Sequence, residues 1–156
     1  MERKNAWKTY DDKALKELDE LSVGYRDFLD NGKTERECVK QIIKAAENHG
    51  YVNLSDFIGS GKTLKAGDKI YNIWMDKTVA LFNIGEKPIE QGINILGAHI
   101  DSPRMDIKQN PLYEKGDFVY LDTHYYGGIK KYQWVTLPLA IHGVVCKKDG
   151  SSVTVC

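Results

Sequence analysis

The feature that most constrains the fold is a short apolar run, Ile93–Leu96, which is followed at once by the segment 97–103, Gly-Ala-His-Ile-Asp-Ser-Pro. A continuous apolar run is typical of a central strand that is covered on both faces. We therefore predict a buried strand over residues 93–99. Pro103 cannot donate to a strand ladder and biases the residue before it toward extended backbone, so we expect the strand to end there.

Two amphipathic helices are predicted before this run. In the first, apolar residues recur at spacings of three and four from Leu15 to Leu29, with Asp11 or Asp12 as the cap. The second begins with the capping-box pattern of Thr34 and Glu37.

The second helix is predicted to end at His49-Gly50, with Gly50 suited to the left-handed position that follows a helix. His49 is interpreted as a structural histidine at the negative end of the helix dipole.

Strand patterns follow from Lys69. The runs 70–75 and 78–84 predict an antiparallel hairpin around a turn at Asp76-Lys77. Helices followed by a sheet with a buried centre predict the α/β class. From about residue 105 the pattern is all-β, including a short strand at Tyr132–Val135 and a hairpin around Asp149-Gly150.

This change of pattern predicts two domains, residues 1–104 and residues 105–156, the second of them truncated. The chain ends inside a strand pattern, so we expect it to be the N-terminal part of a longer protein.

Composition excludes several function classes. The formal net charge is zero, with 22 basic and 22 acidic residues, so no nucleic-acid partner is expected. No apolar run approaches the length of a membrane span, and the N-terminus lacks the apolar region of a secretory signal. Three scattered cysteines form no disulfide framework. We predict a reduced, cytoplasmic protein.

A glycine-rich stretch at residues 59–63, Gly-Ser-Gly-Lys-Thr, is similar to the end of a phosphate-binding loop. Asp56 stands where that motif requires its first glycine, and no strong strand precedes it. A surface loop is the preferred interpretation.

His99 and Asp101 are the candidate site residues. In extended backbone residues two apart face the same side, and ligands bind beyond strand ends in open α/β sheets. His99 could bind Zn²⁺ through a neutral imidazole, with Asp101 orienting it. A structural histidine with a hydrogen-bonded carboxylate remains the alternative on these residues alone. His124 and His142 are interpreted as structural, and Asp106 as a solvated residue of a strand face.

The segment 97–103 with Lys108 resembles the His-x-Asp-Ser-Pro region of the M18 metallo-aminopeptidases, the aspartyl aminopeptidase family, especially its bacterial members. A second region resembles the family's Gly-Gly…Trp…Leu-x-x-Ala-Gly-x-Val segment, through Tyr126-Gly127-Gly128, Trp134, Leu137, Leu139-Ala140 and Gly143-Val144. Thr136-Leu137 replaces an Asp-Arg pair that the family often carries, so no role is transferred to these positions.

The resemblance implies a zinc-exopeptidase-like three-layer domain, here its N-terminal part, followed by the start of an inserted all-β assembly domain. It also implies a two-metal aminopeptidase with two Zn²⁺ per active site in the full-length protein, Co²⁺ or Mn²⁺ being alternatives. His99 would be a metal ligand and Asp101 a catalytic-site carboxylate that orients it. The substrates would be peptides, and the full-length protein would assemble into a large homo-oligomeric shell.

The other expected ligands lie beyond this chain in such proteins, so the chain alone is expected to be inactive. The rival hypothesis is a non-catalytic assembly or binding module that keeps the scaffold without the chemistry.

Overall fold

The computed structural model describes residues 3–156. The chain divides into two compact units, one ending at Leu96 and the other spanning Gly97–Cys156. The predicted domains, residues 1–104 and 105–156 with an assembly domain in the second, stay a prediction.

The first unit combines helices with a three-stranded sheet. Its elements are α1 (Asp12–Asn31), α2 (Glu35–Asn48), β1 (Val52–Asn53), α3 (Leu54–Gly59), β2 (Lys69–Trp74) and β3 (Thr78–Asn83), with single 3₁₀ turns at Ala6–Lys8 and Ile89–Gln91. Strand β2 is central, parallel to β1 and antiparallel to β3. The helices and the β2–β3 hairpin confirm the prediction from the sequence.

Helix α1 begins where the sequence predicts. The Asp11 side chain accepts a hydrogen bond of 2.8 Å from the backbone N–H of Ala14. The apolar stripe is only partly covered, because Leu18 and Phe28 are half-buried while Leu21 remains exposed. None of the helices in the described part of the chain is long and apolar enough to cross a membrane.

Helix α2 has the predicted capping box. The Thr34 hydroxyl accepts from the Glu37 N–H at 3.3 Å, and the Glu37 carboxylate accepts from the Thr34 N–H at 2.9 Å. At the other end His49 is the C-cap, and Gly50 takes the predicted left-handed conformation, with φ of 83°. These local signals survive because they depend on residues close in sequence.

The core of the first unit lies between α2 and the sheet. Its buried side chains are those of Cys38, Val39, Ala46, Ile70 and Tyr71. The Tyr71 hydroxyl donates to Glu47 Oε1 at 2.7 Å, which connects β2 to α2 and raises the pKa of Tyr71. Burial, followed by the negative charges of Glu37 and Glu35, raises the pKa of the Cys38 thiol.

The predicted buried strand over residues 93–99 is wrong for this structure. The segment has no regular secondary structure, Ile95 is 79% exposed and Leu96 is fully exposed. A strand exists through hydrogen bonds to a neighbour, and within the described residues no other strand pairs with this segment. An apolar run of this kind becomes buried only when a partner strand is present.

The second unit is built on two hairpins. Its elements are β4 (Arg104–Lys115), β5 (Phe118–Tyr126), α4 (Lys131–Trp134), β6 (Gly143–Cys146) and β7 (Ser152–Val155). Strands β4 and β5 are antiparallel, as are β6 and β7. The predicted turn at Asp149-Gly150 is confirmed, and Gly150 has φ of 83°.

Strand β4 continues through Asn110-Pro111 although a proline cannot donate to a strand ladder, and its register with β5 shifts between Ile107 and Leu112. The predicted strand at Tyr132–Val135 is wrong, because Lys131–Trp134 forms one helical turn. A hydrogen bond of 2.9 Å from the Gln133 N–H to the Lys130 carbonyl satisfies this backbone locally.

Removing the α2 cap tests the capping box. Thr34→Ala deletes the hydroxyl that accepts from Glu37 N–H, and we expect it to lower the free energy of unfolding by about 1 kcal/mol. Urea unfolding followed by circular dichroism measures the loss. Thr63→Ala, in an exposed loop, is the matched control. Equal stability of the two variants would contradict the assignment.

The β6–β7 turn provides a pH-dependent prediction. The Ser151 hydroxyl and N–H donate to Asp149 Oδ1 at 2.6 and 2.9 Å, and these bonds, the hydroxyl first, hold the pKa of Asp149 below its ordinary value. Because the folded pKa is lowered, the contribution to stability is present above about pH 4 and lost as the pH falls through the folded pKa. Carbon-13 NMR titration should show that Ser151→Ala raises the pKa of Asp149.

Ser152→Ala, at the first residue of β7, should leave the pKa of Asp149 unchanged. A Ser151→Ala variant that titrates like the wild type would refute the hydrogen-bond explanation.

Candidate functional site

The two predicted site residues, His99 and Asp101, are brought together in the second unit. His99 Nδ1 lies 3.1 Å from Asp101 Oδ1 and 3.0 Å from the Asp101 carbonyl oxygen. Both neighbours are acceptors, so the neutral ring carries its proton on Nδ1 and keeps the lone pair on Nε2. The His99 side chain is 85% exposed. The pair therefore presents Nε2 outward, although its segment is not a strand.

A third side chain completes the arrangement. The Tyr126 hydroxyl donates to the second oxygen of Asp101, Oδ2, at 2.7 Å. This bond is the first cause of a lowered pKa at Asp101, and the neighbouring His99 lowers the pKa further. The Asp101 carboxylate therefore stays ionised and has a separate partner on each oxygen.

The pairing of β4 with β5 positions these residues. In that register Arg104, just after Pro103, lies opposite Tyr126. Gly127 follows with φ of 71°, and a Cβ placed on it would lie 3.4 Å from Pro103, so the chain passes closely here. The hairpin thus brings together the ends of two segments that are separated by more than twenty residues in the sequence.

The Arg104 guanidinium lies over the face of the Tyr126 ring. Its guanidinium carbon lies 4.4 Å from the ring centroid, within the range of a cation–π contact. Arg104 Nε also donates to Asp106 Oδ1 at 2.7 Å. Asp106 was predicted to be a solvated residue of a strand face; it is half-exposed and in addition holds Arg104 in place.

The structural roles assigned to the other histidines stay predictions. His49 Nδ1 lies 2.7 Å from the Ala45 carbonyl oxygen at the end of α2. The His124 ring stacks on Tyr125, with ring centroids 5.3 Å apart. His142 is half-buried just before β6.

The glycine-rich stretch at residues 59–63 lies at the end of α3 and continues as a surface loop, in agreement with the sequence interpretation. It borders a cavity of about 680 Å³ in the first unit, whose charged lining consists of two aspartates and three lysines, Asp56, Asp68, Lys62, Lys65 and Lys69. The two aspartate carboxylates would repel a phosphate, so this cavity is not assigned as a phosphate site.

The donor chemistry of the site fits one corner of a zinc centre. A zinc-binding histidine commonly donates its other ring N–H to a carboxylate, which is the arrangement of His99 and Asp101. Zinc enzymes use three protein ligands. Within residues 3–156 no group of three His, Cys, Asp or Glu side chains could hold a metal ion. A zinc site that includes His99 therefore needs further ligands, which the described residues do not bring together around it.

Sequence reasoning missed Tyr126 and Arg104 as members of this site. In the sequence, Tyr126 stands out only as the neighbour of Gly127-Gly128, and no local pattern marks Arg104 as a site residue. The missing information is the β4–β5 register, which the spacing of residues does not specify when a strand contains an irregularity at Asn110-Pro111.

Taken together, the helices and mixed sheet of the first unit and the oriented histidine of the second define an α/β protein with a candidate site of zinc-enzyme type. Residues 28–155 match the family model described as "Aminopeptidase I zinc metalloprotease (M18)". The chain belongs to this family, as the resemblance predicted.

Related proteins agree with this assignment. The chain is 60% identical over 155 residues to a protein of Clostridium acetobutylicum named "Probable M18 family aminopeptidase 1". It is 40% identical, also over 155 residues, to a protein of the same name from Thermotoga maritima. In both comparisons the match covers 99% of this chain and 33% of the relative.

Solved structures support the fold. The crystal structure of aminopeptidase I from Clostridium acetobutylicum superposes with a TM-score of 0.83 at 60% identity, covering all of this chain and 34% of that one. Aminopeptidase I from Borrelia burgdorferi gives a TM-score of 0.87 at 38% identity, covering 97% of this chain and 37% of that one. The predicted α/β class, as the N-terminal portion of an M18 aminopeptidase, is confirmed.

The chain spans about a third of the length of the curated relatives that it matches. Its similarity to them is continuous over that third, and it includes the segment that carries His99, Asp101 and Tyr126.

Proposed function

We propose that this chain supplies one corner of the two-metal site of an aminopeptidase that releases N-terminal residues from peptides. The observation that carries the proposal is the hydrogen-bonded pair of His99 and Asp101, found in a chain of a family described as zinc metalloproteases. His99 is the proposed metal ligand, through Nε2, and Asp101 is the proposed catalytic-site carboxylate.

Each residue has a defined task in this proposal. Asp101 fixes the imidazole of His99 so that Nε2 points away from the carboxylate, and its charge raises the basicity of the ligand. Two zinc ions, when bound, would supply Lewis-acid polarisation of the scissile carbonyl and activation of water. Co²⁺ or Mn²⁺ would also suit a site of mixed histidine and carboxylate ligands.

The assembly of the protein is part of the same proposal. Residues 105–156 would begin an inserted β-rich domain through which copies of the full-length protein associate into a large homo-oligomer in the cytoplasm. The exposed apolar side chains of Leu112, Phe118 and Val119 on the β4–β5 hairpin support this idea, because apolar surface of this kind is typical of interaction sites.

A chimera tests the proposed activity. Residues 1–156 would replace the corresponding third of the Clostridium acetobutylicum relative, to which they are 60% identical. We expect the chimera to release N-terminal residues from peptides, to lose this activity with a chelator, and to recover it with zinc. His99→Ala in the chimera should remove bound zinc, measured by atomic absorption, together with the activity.

His124→Ala is the matched control, since that ring stacks on Tyr125 and has no proposed ligand role. The 156-residue chain alone should show neither tight zinc binding nor catalysis. A folded chimera whose hydrolysis resists chelation, or a His99→Ala chimera with full zinc content, would refute the proposal.

The role of Asp101 is tested separately. Asp101→Asn removes the charge that orients His99, and we expect zinc affinity of the chimera to fall by about 10–100-fold, the usual effect of losing a carboxylate behind a zinc-binding histidine. Competition with a fluorescent zinc chelator measures the affinity. Asp117→Asn, in the β4–β5 turn with φ of 62°, should keep the wild-type value.

A further inference from the structure

We propose that Tyr126 is a positioning residue for this site: its hydroxyl holds Asp101 in the rotamer that keeps His99 in the Nδ1–H tautomer. The inference rests on the proposed function for its importance to metal binding. Its structural content concerns only side chains of this chain and can be measured without a metal.

First, the two oxygens of the Asp101 carboxylate have different partners. Oδ1 faces His99 Nδ1 at 3.1 Å, and Oδ2 accepts from the Tyr126 hydroxyl at 2.7 Å. A carboxylate with one partner on each oxygen has a defined rotation about its terminal bond, whereas this torsion is otherwise broad. Tyr126 therefore determines which way Oδ1 points.

The second step is the rigidity of the Tyr126 side chain itself. Its backbone is paired with Arg104 in the β4–β5 ladder, and the Arg104 guanidinium lies 4.4 Å from the centroid of its ring. Asp106 in turn holds Arg104 through the bond of 2.7 Å to Nε. The phenol is therefore fixed by a strand and by a charged partner, in contrast to the segment of His99, which has no regular structure.

The third step concerns what the loss of this hydroxyl would do. His99 Nδ1 has two acceptors, the Asp101 side chain and the Asp101 carbonyl oxygen. Without the Tyr126 hydroxyl the half-buried carboxylate can turn toward water, and only the carbonyl oxygen still favours the proton on Nδ1. The tautomer preference should weaken, and the fold should remain because the ring stays in place.

The test is nitrogen-15 NMR of the histidine rings in the metal-free 156-residue chain, with chelator present and at a pH where His99 is neutral. Long-range proton–nitrogen correlations distinguish the Nδ1–H tautomer from the Nε2–H tautomer. In the wild type we expect His99 to be mainly Nδ1–H. In Tyr126→Phe its two ring nitrogens should shift toward the values of a tautomer mixture.

Tyr125→Phe is the matched control, because it removes a neighbouring hydroxyl whose ring lies against His124 rather than Asp101. It should leave His99 unchanged. Unaltered His99 shifts in a folded Tyr126→Phe chain would overturn the proposal. Cross-strand contacts between Arg104 and residue 126 in the same spectra show whether the hairpin is intact.

If Tyr126→Phe does not fold, measurements on the wild-type chain still test the proposal. His99 mainly in the Nε2–H tautomer, or a Tyr126 hydroxyl proton that exchanges with water as fast as that of Tyr125, would overturn the proposal. Failure of the chimera to hydrolyse peptides would count against the proposed function and leave this measurement unaffected, so the two can be told apart.

Discussion

The pairing of β4 with β5 is the interaction on which the candidate site depends. It places Tyr126 opposite Arg104, where the Tyr126 hydroxyl reaches Asp101 Oδ2 while Oδ1 faces His99. The segment that carries His99 has no regular secondary structure of its own. Its order at the site comes from a hydrogen bond to a neighbouring, paired strand, which is how an irregular loop obtains a defined side-chain arrangement.

Strand pairing also explains why the chain before Gly97 differs from the chain after Pro103. After Pro103 the chain enters a ladder, in which residues 104–107 are paired with β5. Before Gly97 the apolar run has no neighbouring strand among the described residues, and Ile95 and Leu96 stay exposed. A sheet buries an apolar run and pairs its backbone at the same time. A run whose backbone has no partner strand therefore also stays exposed.

Much of the apolar surface of this chain is exposed. The sequence is 42% hydrophobic, yet the buried apolar side chains of the described residues are confined to α2 and β2. Large exposed apolar surfaces are typical of faces that other structure covers. The chain spans about a third of the length of its curated relatives.

The sequence predicted local structure well where neighbours in sequence supply the hydrogen bonds. The capping box of Thr34, the left-handed Gly50 and the turn at Asp149-Gly150 are all of this kind. It failed at two predicted strands, which have no neighbouring strand within residues 3–156: residues 93–99 are irregular, and Lys131–Trp134 forms a helical turn. Strand patterns specify a preference for pairing but not the presence of a partner.

For the candidate site, the sequence by itself determined the residue types, their spacing of two, and the family to which they point. His99 and Asp101 follow from that spacing, because residues this close can bond within one segment. Tyr126, Arg104 and the tautomer that they support were decided by tertiary structure alone. Their contacts depend on a strand register with an irregularity, and a one-residue slip in that register would turn Tyr126 away from Asp101.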